Sequence, residues 1–381
     1  MKKGCLLRFK VFLAVMTVLQ FCVILSGCFD SKDINEKLIA TAIAFDYKDG
    51  EIIYYTEFAD ISKETNKGQS SAKYNMVIAR GKTLHEARQN LDMQTDKPVF
   101  FSGVRALIVT ESFANRYLVE YLYRFRADEN YRKKIQTVIT MDDLEKIFTT
   151  LHEKQHNVGF MIEGLIESQE EAGQYFSRTT MRLIENVSSR YAGILMPCIG
   201  MQEKELALVG YSVVDNNKIT GFIPVKDSNP LVFLKADKAK LVYTVPYDSI
   251  NFTIEVELKK RKVTAFYKND EISFNIDLTF DAELLYGDQK TPYYFEDAAN
   301  KDVTKILEGM LLNEFYDAIV QSLIEYKCDY LQLDDEFRIR YPEAFENMDW
   351  KSEFLKSVIT VNLSVDLDTV YMMDYGAVDV K

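Results

Sequence analysis

The chain has 381 residues, 47% of them hydrophobic and 13% aromatic, with 46 basic against 58 acidic side chains and a net charge of −12. That is ample apolar material for packed cores and excludes a disordered stalk, while the acidic sign argues against nucleic acid and against electrostatic attraction to anionic lipid headgroups. A length beyond the ~250 to 300 residues at which single cores stop growing predicts more than one domain.

In chain order, the first 27 residues read as an export leader. Lys2, Lys3, Arg8 and Lys10 precede an apolar run from Val11 to Leu25 broken only by Thr17 and Gln20, and no acidic residue occurs before Asp30. The run is short of the roughly 20 residues that span hydrocarbon, which favours a cleaved signal over a permanent anchor. Leu25-Ser26-Gly27-Cys28 supplies the small residues a signal peptidase accepts, followed by a thiol able to take a diacylglycerol. Cys28 is therefore the expected lipid attachment site, and Cys5 and Cys22 leave with the leader. Cleavage leaves 42 basic against 58 acidic residues, a net charge of −16 over 354 residues. Attachment then rests on the acyl chains, each buried CH₂ contributing roughly 0.8 kcal/mol. The remaining Cys198 and Cys328 are too few for a disulfide scaffold; two buried free thiols are the favoured reading and a single bridge the alternative.

Residues 38–46 and 51–59 are β-rich runs around a Lys48-Asp49-Gly50 turn, and residues 73–80 make a third strand. Thr83 is placed to cap a helix in which Leu84, Ala87, Arg88 and Leu91 share helical spacing. Strands follow at 99–101 and 105–110, a helix at 113–125 and a strand at 135–140; this alternation predicts a mixed α/β domain. Residues 142–189 are helical in pattern until Ala192-Gly193 and Pro197 interrupt. Beyond them come strands at 206–214, 218–222, 241–245, 252–258, 264–267 and 273–285, with an Asp215-Asn216-Asn217 turn. Asp302 is read as the cap of a long amphipathic helix reaching about Lys327, with Val303, Leu307, Leu311, Phe315 and Ile319 on its apolar face. An alternating strand closes the chain at 357–367. The expected class is α+β and multidomain: leader 1–27, an N-terminal domain 28–200, and a strand-rich region 201–381, with one long helix packed on a sheet and room for a subdomain split near 275.

The sharpest catalytic pattern is His152-Glu153-Lys154-Gln155-His156. On a helix, histidines four apart share a face and can hold Zn²⁺ while the glutamate acts as general base. Three features argue against it: polar residues inside the motif, a helix stop signalled by Asn157 and Gly159, and no second motif among Glu163, Glu167, Glu170 and Glu171 to supply a third ligand. His152, Glu153 and His156 are accordingly discounted as a metal site, and neither a cofactor nor catalytic residues are expected. The acidic stretches at 281–302 and at Asp334-Asp335-Glu336 lack EF-hand spacing and read as solvated faces. Nucleotide loops, a nucleophile elbow and C-x-x-C are absent from the sequence. Tyr341, Phe345 and Trp350 read as core aromatics.

The lipobox followed by Phe29-Asp30 and Asp33-Ile34-Asn35 resembles the start of the Ger(x)C family of germination lipoproteins, with Phe29 where the family usually has Trp. Arg80-Gly81-Lys82-Thr83-Leu84 with Glu86-Ala87, Phe101-Ser102 leading into the strand 106–109, Gly210-Tyr211-Ser212-Val213 with Lys218 to Phe222, and Glu336-Phe337-Arg338-Ile339-Arg340-Tyr341-Pro342 before Trp350 continue the resemblance in order. The region 144–165 matches the family loosely. The resemblance implies a lipid-anchored, non-catalytic C subunit of a nutrient germinant receptor on the outer face of the spore inner membrane. Its implied partners are a multi-spanning A subunit and a B subunit resembling amino-acid transporters, with diacylglycerol or palmitate on Cys28 as the membrane link. A solute-binding lipoprotein feeding a transporter is the alternative, and an extracytoplasmic zinc metalloprotease a more distant one. Two α/β lobes would favour the solute-binding reading; the strand-rich second half speaks against it.

Overall fold

The computed structural model describes residues 36–59, 75–128, 131–132, 134–177, 180–181, 183–184, 193–216, 218–287 and 297–368, together with Phe12, Met16 and Gln20. The lipobox and Cys28 lie outside the described residues. Among the described residues, no helix is long and apolar enough to cross a membrane.

The first unit is a nine-stranded mixed sheet. Strands β1 (Leu38–Lys48), β2 (Glu51–Ala59) and β3 (Asn75–Gly81) form an antiparallel meander. Asp49 and Gly50 take the left-handed conformations, φ 55° and 84°, that a two-residue turn between twisted strands requires. Helix α1 (Leu84–Asp92) is capped as the sequence predicts. Thr83 Oγ1 accepts from Glu86 N, and the Glu86 carboxylate accepts from Lys82 N. The short β4 (Val99–Phe100) and β5 (Ala106–Thr110) pair parallel with β1; α2 (Glu111–Ala127) and β6 (Gln136–Thr140) follow, with β6 parallel to β5. Helices α3 (Leu144–Glu153) and α4 (Val158–Glu171) precede β7 (Ile194–Gln202), β8 (Glu205–Asp215) and β9 (Lys218–Pro224). The strand order is β3-β2-β1-β5-β6-β7-β8-β9.

The parallel centre is buried on both faces, as crossover helices demand. Ile43, Phe45, Leu107 and Val109 pack under α1 and α2, while Ala42, Ala44, Ala106 and Ile108 pack under α3 and α4. Small residues on the second face let α4 approach closely. A Cβ on Gly159 of that helix would stand 2.1 Å from the carbonyl oxygen of Thr41.

The second unit is a four-stranded sheet: β10 (Lys240–Tyr247), β11 (Ile250–Lys268), β12 (Glu271–Gly287) and β13 (Val358–Asp368), the last parallel to β12. A short helix α5 (Asn229–Lys235) leads into it. The long helix α6 (Asp297–Val320) lies on one face and ends in a π-helical turn, Gln321–Glu325. Val303, Leu307, Leu311, Phe315 and Ile319 are all in its core. At roughly 1.5–3 kcal/mol for each fully buried apolar side chain, this stripe is a major source of the unit's stability. Helices α7 (Leu333–Arg340), α8 (Pro342–Glu346) and α9 (Trp350–Phe354) then close one end, where Phe345 and Trp350 are core aromatics as read from the sequence.

The first sheet runs on through the β7–β8 hairpin, within which the boundary expected near residue 200 lies, and residue 275 lies mid-strand in β12. Leu195, Tyr211, Val213 and Ile223 of the first sheet share one hydrophobic cluster with the second sheet and α6. Pro197 does not end regular structure. It pairs with Tyr211 on β8, and the β6 ladder begins only at Cys198, so its missing N–H costs no bond on that side. The two strands expected at 252–258 and 264–267 are one, because register shifts near Ile254 and Leu258 absorb the irregular patterning. Asp302 lies within α6 instead of capping it. Asp334, expected on a solvated face, is buried.

Candidate functional site

Of the residues singled out from the sequence, His152 sits in the last turn of α3, which ends at Glu153; Gln155 turns left-handed at φ 61° and His156 is exposed beyond the helix. The two histidines therefore do not share a helical face. His152 Nε2 instead contacts Glu57 Oε1 at 2.8 Å. The motif's first histidine belongs to a clamp that the sequence did not reveal.

At the centre of that clamp is Glu57 on β2, a carboxylate with no solvent exposure. Opposite it, β1 carries a bulge: Ala40 pairs with Phe58 and Ala42 with Glu57, leaving Thr41 as the extra residue. Thr41 Oγ1 donates to Glu57 Oε2 at 2.7 Å, and Asn157 Nδ2 donates to Thr41 Oγ1 at 2.8 Å. The first turn of α4 supplies the rest. Val158 N donates to Oε1 at 2.8 Å and Gly159 N to Oε2 at 3.2 Å, while the Asn157 side chain caps the same helix through Phe160 N. Buried anionic oxygen at a helix N-terminus is favourable, since the free amides and the dipole both point at it. The arrangement locks α4 onto the sheet and has no open side for a substrate.

On the opposite face, β1, β2, α1, α2 and the residues just after α2 line a partly open cavity of about 380 Å³. Its walls are the aromatic rings of Phe45, Tyr54, Tyr121, Phe125 and Tyr131, with Arg88 at one side. Phe45 stacks on Tyr54 at 4.5 Å and meets Tyr121 at 4.6 Å. The Tyr54 and Tyr131 hydroxyls share a hydrogen bond of 3.3 Å, whereas the Tyr121 hydroxyl makes none at bonding geometry among the described residues. Burial pushes all three phenols well above the ordinary tyrosine range, so they stay protonated. Arg88 stands 3.8 Å over the Phe101 ring, and its Nε donates to both oxygens of Asp92. Sequence reading missed this site because each tyrosine scans as a core aromatic. The available signal was Arg88, a cation at the helical spacing of Leu84, Ala87 and Leu91.

Under the second sheet, Asp329 accepts from Leu333 N, Asp334 N and Trp350 Nε1. Burial raises both Asp329 and the adjacent Asp334, whose Oδ1 makes no hydrogen bond among the described residues. Cys198 and Cys328 are free and buried; burial pushes the Cys198 thiol up to about 11.

With this geometry in place, two family matches divide the chain between them. Residues 30–201 match the family described as the spore germination protein N-terminal domain, and residues 209–370 match the one described as spore germination B3/GerAC like, C-terminal. The two matches meet within the β7–β8 hairpin. Spore germination protein A3 of Bacillus subtilis (strain 168) is 23% identical over 362 residues, covering 93% of this chain and 95% of its own. Spore germination protein B3 of the same organism is 21% identical over 333 residues, 85% of this chain and 88% of its own. Among solved structures, that of the GerBC protein superposes with a TM-score of 0.57 at 17% identity, covering 85% of this chain and 96% of that one, which is a likeness of fold.

Proposed function

The chain belongs to the Ger(x)C family of germinant receptor-like spore germination proteins, and from that premise we propose that it is the lipid-anchored, non-catalytic C subunit of a nutrient germinant receptor. The observation that carries this reading is the ordered pair of family matches, N-terminal then C-terminal, which together take in nearly all of the chain after residue 29. The lipobox cysteine stands two residues before the first matched position, where an acyl anchor would hold the folded units against the outer membrane face. Anchoring raises the effective concentration of a partner surface, so individually weak contacts with the A and B subunits suffice for assembly. Supporting a non-catalytic role, the two histidines of the strongest catalytic pattern do not share a helical face: His152 contacts Glu57, and His156 lies exposed beyond the end of α3.

Two experiments test the reading. Cys28→Ala should release the protein from membranes or leave it as unprocessed precursor; a membrane-bound mature chain with a free Cys28 thiol by mass spectrometry refutes the anchor. Deleting the gene in a strain without a redundant receptor should abolish or slow germination to one nutrient set while sparing nutrient-independent germination. The A and B subunits should co-purify with the protein or decline without it. Normal responses to every nutrient in that strain refute the receptor role.

A further inference from the structure

The cavity between β1, β2, α1 and α2 holds more hydrogen-bond donors than acceptors. Its three phenols carry three hydroxyl protons, of which the Tyr54–Tyr131 bond uses one. The Tyr121 hydroxyl, on a side chain only 6% exposed, meets no partner at bonding geometry among the described residues. An unpaired buried hydroxyl is a cost to the fold, since removing it from water is not compensated. Arg88 adds positive charge at the same wall; Asp92 engages only its Nε and leaves both η nitrogens out of that pair. Phe45 and Phe125 add ring surface, and His85, Arg124 and Asp128 also line the cavity, so that two guanidinium groups stand against one carboxylate. A volume of about 380 Å³ lies within the range of roughly 300–1,000 Å³ typical of small-molecule sites, at its small end.

We propose that this cavity binds small monocarboxylic acids with an aromatic or branched apolar body, the carboxylate accepting from the tyrosine hydroxyls and Arg88 and the body lying among the rings. A carboxylate is acceptor-only and offers about four lone-pair sites, which matches a cluster of surplus donors beside a guanidinium. A neutral apolar molecule leaves the hydroxyls unpaired, and a cation of the same size faces Arg88. The inference concerns the folded chain alone and does not depend on the receptor role, so either can fail without the other.

The test uses the full-length chain in detergent, titrated calorimetrically with benzoate and with its neutral isostere benzamide. Benzoate should bind saturably with a dissociation constant of ~1 mM or tighter, as expected for a fragment of its size, and benzamide about 10-fold more weakly. Tyr121→Phe removes one oxygen. It should raise the melting temperature of the free protein, by relieving the unpaired hydroxyl, yet weaken benzoate about 10-fold. Arg88→Gln should remove the preference of benzoate over benzamide. Absence of saturable benzoate binding, equal binding of benzamide, or unchanged benzoate affinity in Tyr121→Phe overturns the proposal. Should Arg88→Gln fail to fold, Tyr121→Phe decides alone, because a stability gain with an affinity loss is not the signature of a merely structural tyrosine.

Discussion

Replacing Glu57 by alanine removes the acceptor for Thr41 Oγ1, Val158 N and Gly159 N and breaks the contact with His152. The three donors other than His152 are buried, and a buried donor left unpaired costs about 1–3 kcal/mol. Thr41 can rotate, and water entering the vacated space can satisfy part of the remainder, so the net loss should be about 3–6 kcal/mol. Glu57→Gln keeps the shape but replaces one oxygen by an NH₂ group. Because Val158 N and Gly159 N donate to different oxygens, either orientation of the amide turns a donor toward one of them. That variant should lose about 1–3 kcal/mol, mostly one unpaired amide. His152→Ala should cost about 1 kcal/mol or less, since His152 is partly exposed and the other three bonds remain. Urea unfolding measures the totals. Hydrogen exchange at the Val158 and Gly159 amides reports the clamp, while fluorescence of Trp350, the single tryptophan, follows the second sheet. A loss below about 1 kcal/mol for Glu57→Ala, or equal losses for Ala and Gln, would refute the reasoning, because the cost is assigned to acceptor geometry at two amides.

Gly159→Ala should destabilise by about 1–3 kcal/mol or more in the same unfolding assay, because the new methyl meets the Thr41 backbone and not a side chain able to swing away. Asp334 has a folded-state pKa raised to about 7, by burial first and then by the neighbouring Asp329 and Asp335. The folded chain therefore holds its proton more tightly than the unfolded one, so this group's contribution to stability is full below about pH 4 and is lost as pH rises toward 7, with a slope of at most about 1.4 kcal/mol per unit. Asp334→Asn should flatten that decline and raise stability at pH 8; thermal melts from pH 4 to 8 with an unchanged slope would count against it. Metal analysis of the purified chain should show well below one zinc per molecule, and stoichiometric zinc lost in His152→Ala would restore the metalloprotease alternative.

Much of the fold is legible from local sequence because the signals are local. Runs of β-branched and aromatic residues mark β1 and β2, alternation with a period of two marks β13, and helical spacing after a Thr cap marks α1, since all depend on neighbours within a few residues; Asn157, read as a stop, instead caps the start of α4. The Asp49-Gly50 turn was visible because glycine tolerates positive φ. Glu203-Lys204 and Asp248-Ser249 adopt the same left-handed pair without such a signature, held there by the strands they join. The expected leader and the expected acylation at Cys28 are likewise read from the chain and not from its fold.

What tertiary structure alone decided is everything that depends on which distant segments meet. Sheet pairing is made by backbone amides and carbonyls, which carry no residue identity, so nothing in residues 194–224 announces that they extend the first sheet through β6. The Glu57 clamp joins positions about 100 residues apart through a one-residue bulge, and a glutamate in a strand otherwise reads as solvated. Tyr54, Tyr121 and Tyr131 each resemble ordinary core aromatics in sequence. Only their convergence beside Arg88 turns three phenols into a donor-rich cavity, because hydrogen-bond supply and demand are balanced in space, between side chains that the sequence keeps far apart.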